Sequence, residues 1–197
     1  MSDDTLRTAR DRYFDENGFG RDGGYGDAWV DFHLGPIAAP FPNTAARVRA
    51  VRYHDLHHVL SGYRTDITGE AEISAWELAT GCARMPAAFL LNLGGMTLGL
   101  GLAPRRTYRA FARGRRTANL YGETFDDALL ARSVTDARRA ARLDDAGPGA
   151  PEGAGAIASF AIAAVFAWAV TLAVLPAFLL VVPIGLLSAL SKHRARA

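Results

Sequence analysis

At 197 residues, half of them apolar, the chain has room for one domain with a sizeable core plus an appendage. Its net charge of +2 is small and its arginines are dispersed, which argues against a nucleic-acid partner. A lone cysteine, Cys82, excludes a disulfide framework, and its apolar helical setting suits a packed thiol rather than a nucleophile.

In chain order, residues 3–15 are expected to form a short amphipathic helix and residues 18–26 a Gly-rich loop. No strand precedes that loop and no helix-start signature follows it, so it is not read as a phosphate-binding turn. His33 is expected to sit at the surface or in packing. The first strong helix signal covers residues 45–61, where Pro42-Asn43-Thr44 supplies a cap and Gly62 a stop.

That helix carries three of the five histidines within Tyr53-His54-Asp55-Leu56-His57-His58. His54 and His58 lie one turn apart on the same face, and Asp55 is about 100° round from His54, so their polar atoms can converge on one cation. Leu56, Val59 and Leu60 project the other way as an apolar stripe. His57 lies between the stripes, where it suits a donor behind the ligands, a surface residue or no role. Residues 69–78 read as a second helix with Glu70 in its first turn, able to close the site. Glu72 and Glu77 are expected to be solvated. Two imidazoles with one or two carboxylates suit zinc first, and also iron or manganese. If His54, Asp55, His58 and Glu70 all ligate in a tetrahedron the site is closed, whereas a non-ligating Asp55 leaves a position for substrate or water. Asp55 and Glu70 are also the candidates for moving protons.

Residues 85–104 are uncharged and about the length of a membrane span, but Asn92, Gly94, Gly95, Gly99 and Gly101 lower the propensity for insertion. They read as a buried helix packed closely at its glycines, or as a groove for an apolar tail. Arg105, Arg106, Arg109 and the run Arg113-Gly114-Arg115-Arg116 come next, either as a solvated helix face or as an attractor of anionic lipid or acidic substrate. Residues 146–155 are a linker by composition. Residues 153–191 contain no charged side chain and would run about 58 Å as one straight helix, against a bilayer core of about 30 Å. Pro176 and Pro183 are natural break points, giving either a helical hairpin or a single span near 157–175. The basic tail after Ser191 and a polar start without a secretory signal favour the hairpin with a cytoplasmic site. The organisation expected is therefore mainly α: an N-terminal segment 1–44, a helical metal-binding domain 45–145, the linker 146–155, a membrane segment 156–191 and a basic tail 192–197.

His54-Asp55-x-x-His58, eleven further residues and Glu70, then Ala71-x-x-x-Ala75-Trp76-Glu77, resembles the metal-binding signature of the ubiquinone biosynthesis protein four (Coq-four) family. Thr80-Gly81, Met85-Pro86, Asn119-Leu120-Tyr121 and an Arg-rich helix at 135–143 resemble its later segments, so the likeness covers about half the chain. It implies a mostly helical protein acting at a membrane on polyprenylated hydroxybenzoate precursors of ubiquinone, alone or beside other quinone-biosynthesis enzymes. The ring carboxylate would be removed and the vacated carbon hydroxylated, with a divalent metal held by His54, Asp55, His58 and Glu70. The long apolar C-terminus and the lack of a mitochondrial transit segment depart from the family and point to a bacterial relative, sited at the inner membrane, whose lipid can differ.

Other readings compete. A metal-stabilised lipid-binding scaffold would need no turnover. A phosphohydrolase would draw on His33 and on Asp126 or Asp127. A metalloprotease is weaker, since Asp55 replaces the Glu expected between the two histidines, and a di-iron centre needs more histidines than the chain offers.

Overall fold

The computed structural model describes residues 4–30, 33–34, 37–144 and 153–194. Helix α1 (Leu6–Asn17) starts on Thr5, whose hydroxyl accepts from the Thr8 N–H. Among the described residues there are then four two-residue strands, β1 (Trp29–Val30), β2 (His33–Leu34), β3 (Ile37–Ala38) and β4 (Phe41–Pro42). They pair antiparallel as β1 with β4 and β2 with β3. Helix α2 (Ala45–Ser61) has the bounds its caps predict: Thr44 accepts from the Arg47 N–H, and Gly62 at φ 76° takes the left-handed turn that ends it. Helix α3 (Ile67–Thr80) begins on Asp66, which accepts from the Gly69 N–H. Then come α4 (Pro86–Leu102), α5 (Pro104–Gly114), α6 (Asp127–Ala131), α7 (Val134–Ala140) and α8 (Ala154–Arg194).

The core lies where α2, α3, α4 and α5 meet, with Leu56, Leu60, Ile73, Trp76 and Met96 at most 1 % exposed. Burying such side chains contributes about 1.5–3 kcal/mol each. Helices α3 and α4 approach closely because Gly95 faces the Ser74 side chain, where an added Cβ would lie 2.1 Å from its hydroxyl. Helix α4 thus packs closely at Gly95 and Gly99, whereas Gly94 and Gly101 face open space and Leu90, Leu91 and Leu102 are exposed. Cys82 is buried beside Asn92, and burial pushes its thiol pKa up to about 12, so it packs and does not attack.

The sequence boundary at residue 44 is one of composition and not of packing. Residues 4–6 bond to 132–134, with Leu6 N–H donating to the Arg132 carbonyl and Val134 N–H to that of Asp4. Leu6 and Phe14 are core residues. The basic cluster is divided: Arg106 pairs with Glu72 at 2.5 Å, so Glu72 is ion-paired and not simply solvated, and Arg113 donates to the Ser61 carbonyl. Arg105, Arg109 and Arg115 are exposed, Arg115 donating to Ser159.

The hairpin favoured from Pro176 and Pro183 is not what the backbone adopts: α8 passes through both prolines as one helix. A proline costs one intrahelical bond and bends the axis, but reversal needs residues that leave helical geometry. Ala177 to Val182 are all apolar and offer no polar side chain to satisfy an opened backbone. The first half of α8 docks on the domain through Phe160 against Tyr108 and Phe111, Phe166 against Phe89, and the Thr171 hydroxyl 3.0 Å from that of Thr97. Beyond it Leu172, Leu175, Leu179, Leu180, Ile184 and Leu187 are exposed. Among the described residues, one stretch, Ala154–Ile184, is long and apolar enough to cross a membrane by length and composition. Residues 146–152 of the expected linker and 195–197 of the tail lie outside the described residues.

Candidate metal centre

Helix α2 presents His54 and His58 on one face, and the first turn of α3 delivers Glu70 to them. His54 Nε2 and His58 Nε2 are 3.1 Å apart, and Glu70 lies 3.3 Å from each, through Oε2 to His54 and Oε1 to His58. Donor atoms held about 2.0–2.2 Å from a shared ion, at tetrahedral to octahedral angles, stand roughly 3.0–3.5 Å apart, so this triangle has the size of a metal site. His54, His58 and Glu70 could together hold a metal ion.

The partners of the other ring nitrogens fix the tautomers. His58 Nδ1 lies 2.9 Å from the Tyr63 carbonyl, which can only accept, so that nitrogen carries the proton. His54 Nδ1 likewise faces a carboxylate oxygen of Glu77 at 3.0 Å. In the neutral rings both Nε2 atoms are therefore bare and point at one another. Two acceptors at this distance repel unless a proton or a cation lies between them.

The electrostatics agree. Burial works against a charge on His54, but Glu77 and Glu70 outweigh it and raise the proton affinity of the ring well above the ordinary imidazole value. Burial also opposes ionisation of Glu70, yet hydrogen bonds from His54 and His58 pull its pKa down to about 2. The Glu70 side chain is 43 % exposed and that of His58 only 1 %, so the centre opens to solvent on the Glu70 side. Tyr13 from α1 stacks on the His58 ring with centroids 5.5 Å apart and closes the opposite side.

Asp55 stands outside the converging three. It is buried, and its Oδ2 accepts from the Tyr25 hydroxyl at 2.5 Å. Burial raises its pKa, which the Tyr25 bond only partly offsets. His57 is fully buried behind the ligands: Nδ1 donates to Glu77 at 2.6 Å and Nε2 accepts the Leu120 N–H at 2.9 Å. Glu77, expected in solvent, is instead completely buried and accepts from four donors. The expectation failed because the exposed-looking charge is satisfied by residues far along the chain, Asn92 and Tyr121; the only sequence signal was its place among Ile73, Ala75 and Trp76 on an otherwise apolar helix. Asp126 caps α6 through the Leu129 N–H and Asp127 pairs with Arg7, so neither serves the histidines as a phosphohydrolase carboxylate would. His33 lies on β2, and the surroundings of its side chain fall outside the described residues.

Gly69 fixes where Glu70 stands. A Cβ there would lie 2.0 Å from the Arg64 carbonyl oxygen, which is backbone and cannot rotate away. Gly69→Ala is expected to displace the first turn of α3, weaken zinc binding about tenfold or more and cost about 1–3 kcal/mol of stability. Zinc competition and chemical unfolding of the variant check this, and wild-type values in both would refute the close-packing argument.

Fold and site together define a mainly helical protein with a His/His/Glu cluster able to hold a metal and one helix of membrane-spanning length and composition. No protein-family model, no curated protein and no solved structure matches the chain.

Proposed function

We propose that the protein is a membrane-anchored, metal-dependent enzyme of isoprenoid-quinone biosynthesis that removes the ring carboxylate of a polyprenylated hydroxybenzoate, with hydroxylation of the vacated carbon. The observation that carries this reading is the convergence of His54 Nε2 and His58 Nε2, 3.1 Å apart, with Glu70 3.3 Å from each. The same residues, with Asp55, make up the Coq-four-like signature in the sequence.

A site with three protein ligands suits catalysis because it keeps positions open. A bound divalent cation, zinc first and iron or manganese next, would supply Lewis acidity toward the carboxylate and ortho oxygens of an aromatic acid. His54, His58 and Glu70 would hold the ion, and Glu70, ionised down to a pKa of about 2, would be available to it throughout the working range. Asp55 with the Tyr25 phenol is the group placed to hold or deliver a proton beside the centre. When the ring–carboxylate bond breaks, carbon dioxide leaves and the electron pair stays on the ring carbon, which takes a proton; hydroxylation there would instead consume dioxygen as co-substrate, one oxygen atom entering the ring and the other leaving as water with two electrons and two protons from a reductant. Helix α4 joins the site to α8, for it touches α3 beside Glu70 on one side and α8 on the other. The exposed apolar length of α8 supports a membrane setting, and the basic residues that follow Ser191 in the sequence favour a site on the cytoplasmic side of a bacterial inner membrane.

The test is release of labelled carbon dioxide from a carboxyl-labelled prenylated hydroxybenzoate by the full chain in detergent, reconstituted with each metal in turn. Turnover that depends on metal and is lost in Glu70→Gln supports the enzyme. Tight binding of the lipid with no turnover under any metal overturns it and leaves the lipid-binding scaffold, which the exposed face of α8 would equally serve.

Metal uptake should also depend on pH with a definite sign. The raised proton affinity of His54 means that below its folded pKa a proton occupies the position a metal would take. Zinc affinity is therefore expected to fall about tenfold per pH unit as pH drops through that region, with proton release on binding. In the metal-free protein the stability contributed by protonated His54 is complete below 6.5 and is lost as pH rises through the raised value. That contributed by Glu70 is complete above 4.5 and is lost as pH falls toward about 2. Isothermal titration in buffers of different ionisation enthalpy reads the proton release, and a pH-independent affinity would refute it.

A further inference from the structure

We propose that Glu77 is a positioning residue of the centre: it holds the His54 proton on Nδ1 and so aims Nε2 of that ring at His58 and Glu70. This rests on the metal-centre reading above and adds a residue that touches neither metal nor substrate.

Both oxygens of Glu77 are occupied by donors from different parts of the fold. Oε1 accepts from His54 Nδ1 at 3.0 Å and His57 Nδ1 at 2.6 Å. Oε2 accepts from Asn92 Nδ2 at 2.6 Å and the Tyr121 hydroxyl at 2.7 Å. The side chain is 0 % exposed, so no water screens its charge.

Of the four donors, three cannot neutralise it. Asn92 and Tyr121 are uncharged donors, and His57 uses its Nε2 lone pair to accept the Leu120 N–H, which leaves one ring proton, on Nδ1. A buried carboxylate without a positive partner is costly by several kcal/mol. His54 alone of the four has its other ring nitrogen turned toward His58 and Glu70, so a cation held there would polarise its ring toward Glu77. Carboxylates that receive the second N–H of a ligating histidine orient the ring and make it a stronger donor, and losing one costs about 10–100-fold in metal affinity.

Glu77→Gln turns one acceptor oxygen into a donor that faces two N–H or O–H groups, so some loss of stability is expected in either role, and the state of the centre in the folded variant separates positioning from packing. The experiment compares full-length wild type and Glu77→Gln in detergent. Zinc affinity is read by chelator competition, the cobalt form by its visible spectrum, and the ring protons by nitrogen-15 histidine spectra, with His54→Gln assigning the His54 signals. The expected result is zinc binding weakened by about 10–100-fold in folded Glu77→Gln, a shifted cobalt band, and loss of the hydrogen-bonded His54 Nδ1 proton. Zinc affinity within about twofold of wild type with an unchanged His54 pattern overturns the proposal. If Glu77→Gln does not fold, the zinc-bound wild type decides alone: a proton on His54 Nδ1 upholds the assignment, and one on Nε2 refutes it. If wild type takes up neither zinc nor cobalt, the metal-centre reading fails separately. The positioning role then stands if metal-free wild type retains the bonded Nδ1 proton, and falls if it does not.

Discussion

His58→Ala is expected to lose stoichiometric metal and to weaken zinc binding by more than about 100-fold, a larger effect than removing a group behind the ligands. His58 is the deepest of the three candidate ligands, with its ring pinned between the Tyr63 carbonyl at Nδ1 and Tyr13 stacked on its face. Its Nε2 therefore has one orientation in which to act, and no neighbouring side chain can replace it. The remaining pair, His54 and the half-exposed Glu70, is too few to hold a zinc ion against water. The stability cost should be modest, about 1–2 kcal/mol for the lost hydrogen bond and stacking, so the variant folds and the comparison is fair. Asp55→Asn is the companion: as Asp55 bonds Tyr25 and stands outside the triangle, its metal content should stay close to wild type while turnover falls. Mass spectrometry of bound metal after purification in detergent measures both. Full metal in His58→Ala would refute the centre as built here, and folded wild type that binds no zinc, iron or manganese would leave the scaffold.

Trp76→Ala is expected to cost about 3–5 kcal/mol, a large share of the roughly 5–15 kcal/mol that holds a domain together. Trp76 is completely buried at the junction of α3 and α5. Its Nε1 donates to the Thr117 hydroxyl at 2.8 Å, and its ring meets the edge of His57 at 5.3 Å. Removing the ring opens a cavity beside the residue that orders Glu77, so metal affinity should weaken along with the fold. Trp76→Phe fills most of that volume and should cost far less. Urea unfolding monitored by circular dichroism in mild detergent gives the numbers, and a loss below about 1 kcal/mol for the alanine variant would show that the junction is not packed as described.

The legible parts of this protein are those whose cause is local. Thr44 and Gly62 bound α2 because a capping hydroxyl and a left-handed glycine act within a few residues of themselves. The four-residue interval between His54 and His58 places them on one face wherever the helix goes. Glu70 in the first turn of α3 was likewise predictable, though the helix begins earlier than residue 69, on the Asp66 cap. The uncharged run after the linker reads as a helix apolar on every side, and so it is.

The features that the sequence could not determine depend on residues brought from a distance. Glu77 looks like any helical glutamate until Asn92 and Tyr121 arrive to satisfy it, and Asp55 looks like a ligand until Tyr25 takes its oxygen. The hairpin favoured at Pro176 and Pro183 gives way to one helix because a proline removes one bond without dictating the path of the chain beyond it. By itself, then, the sequence determined α2 with both its ends, the presence of α3 and the face that bears the histidines, since these come from caps and periodicity. Only the tertiary structure decided which carboxylate joins that face, which stands behind it and which turns away, because a buried charge goes where distant donors can meet it.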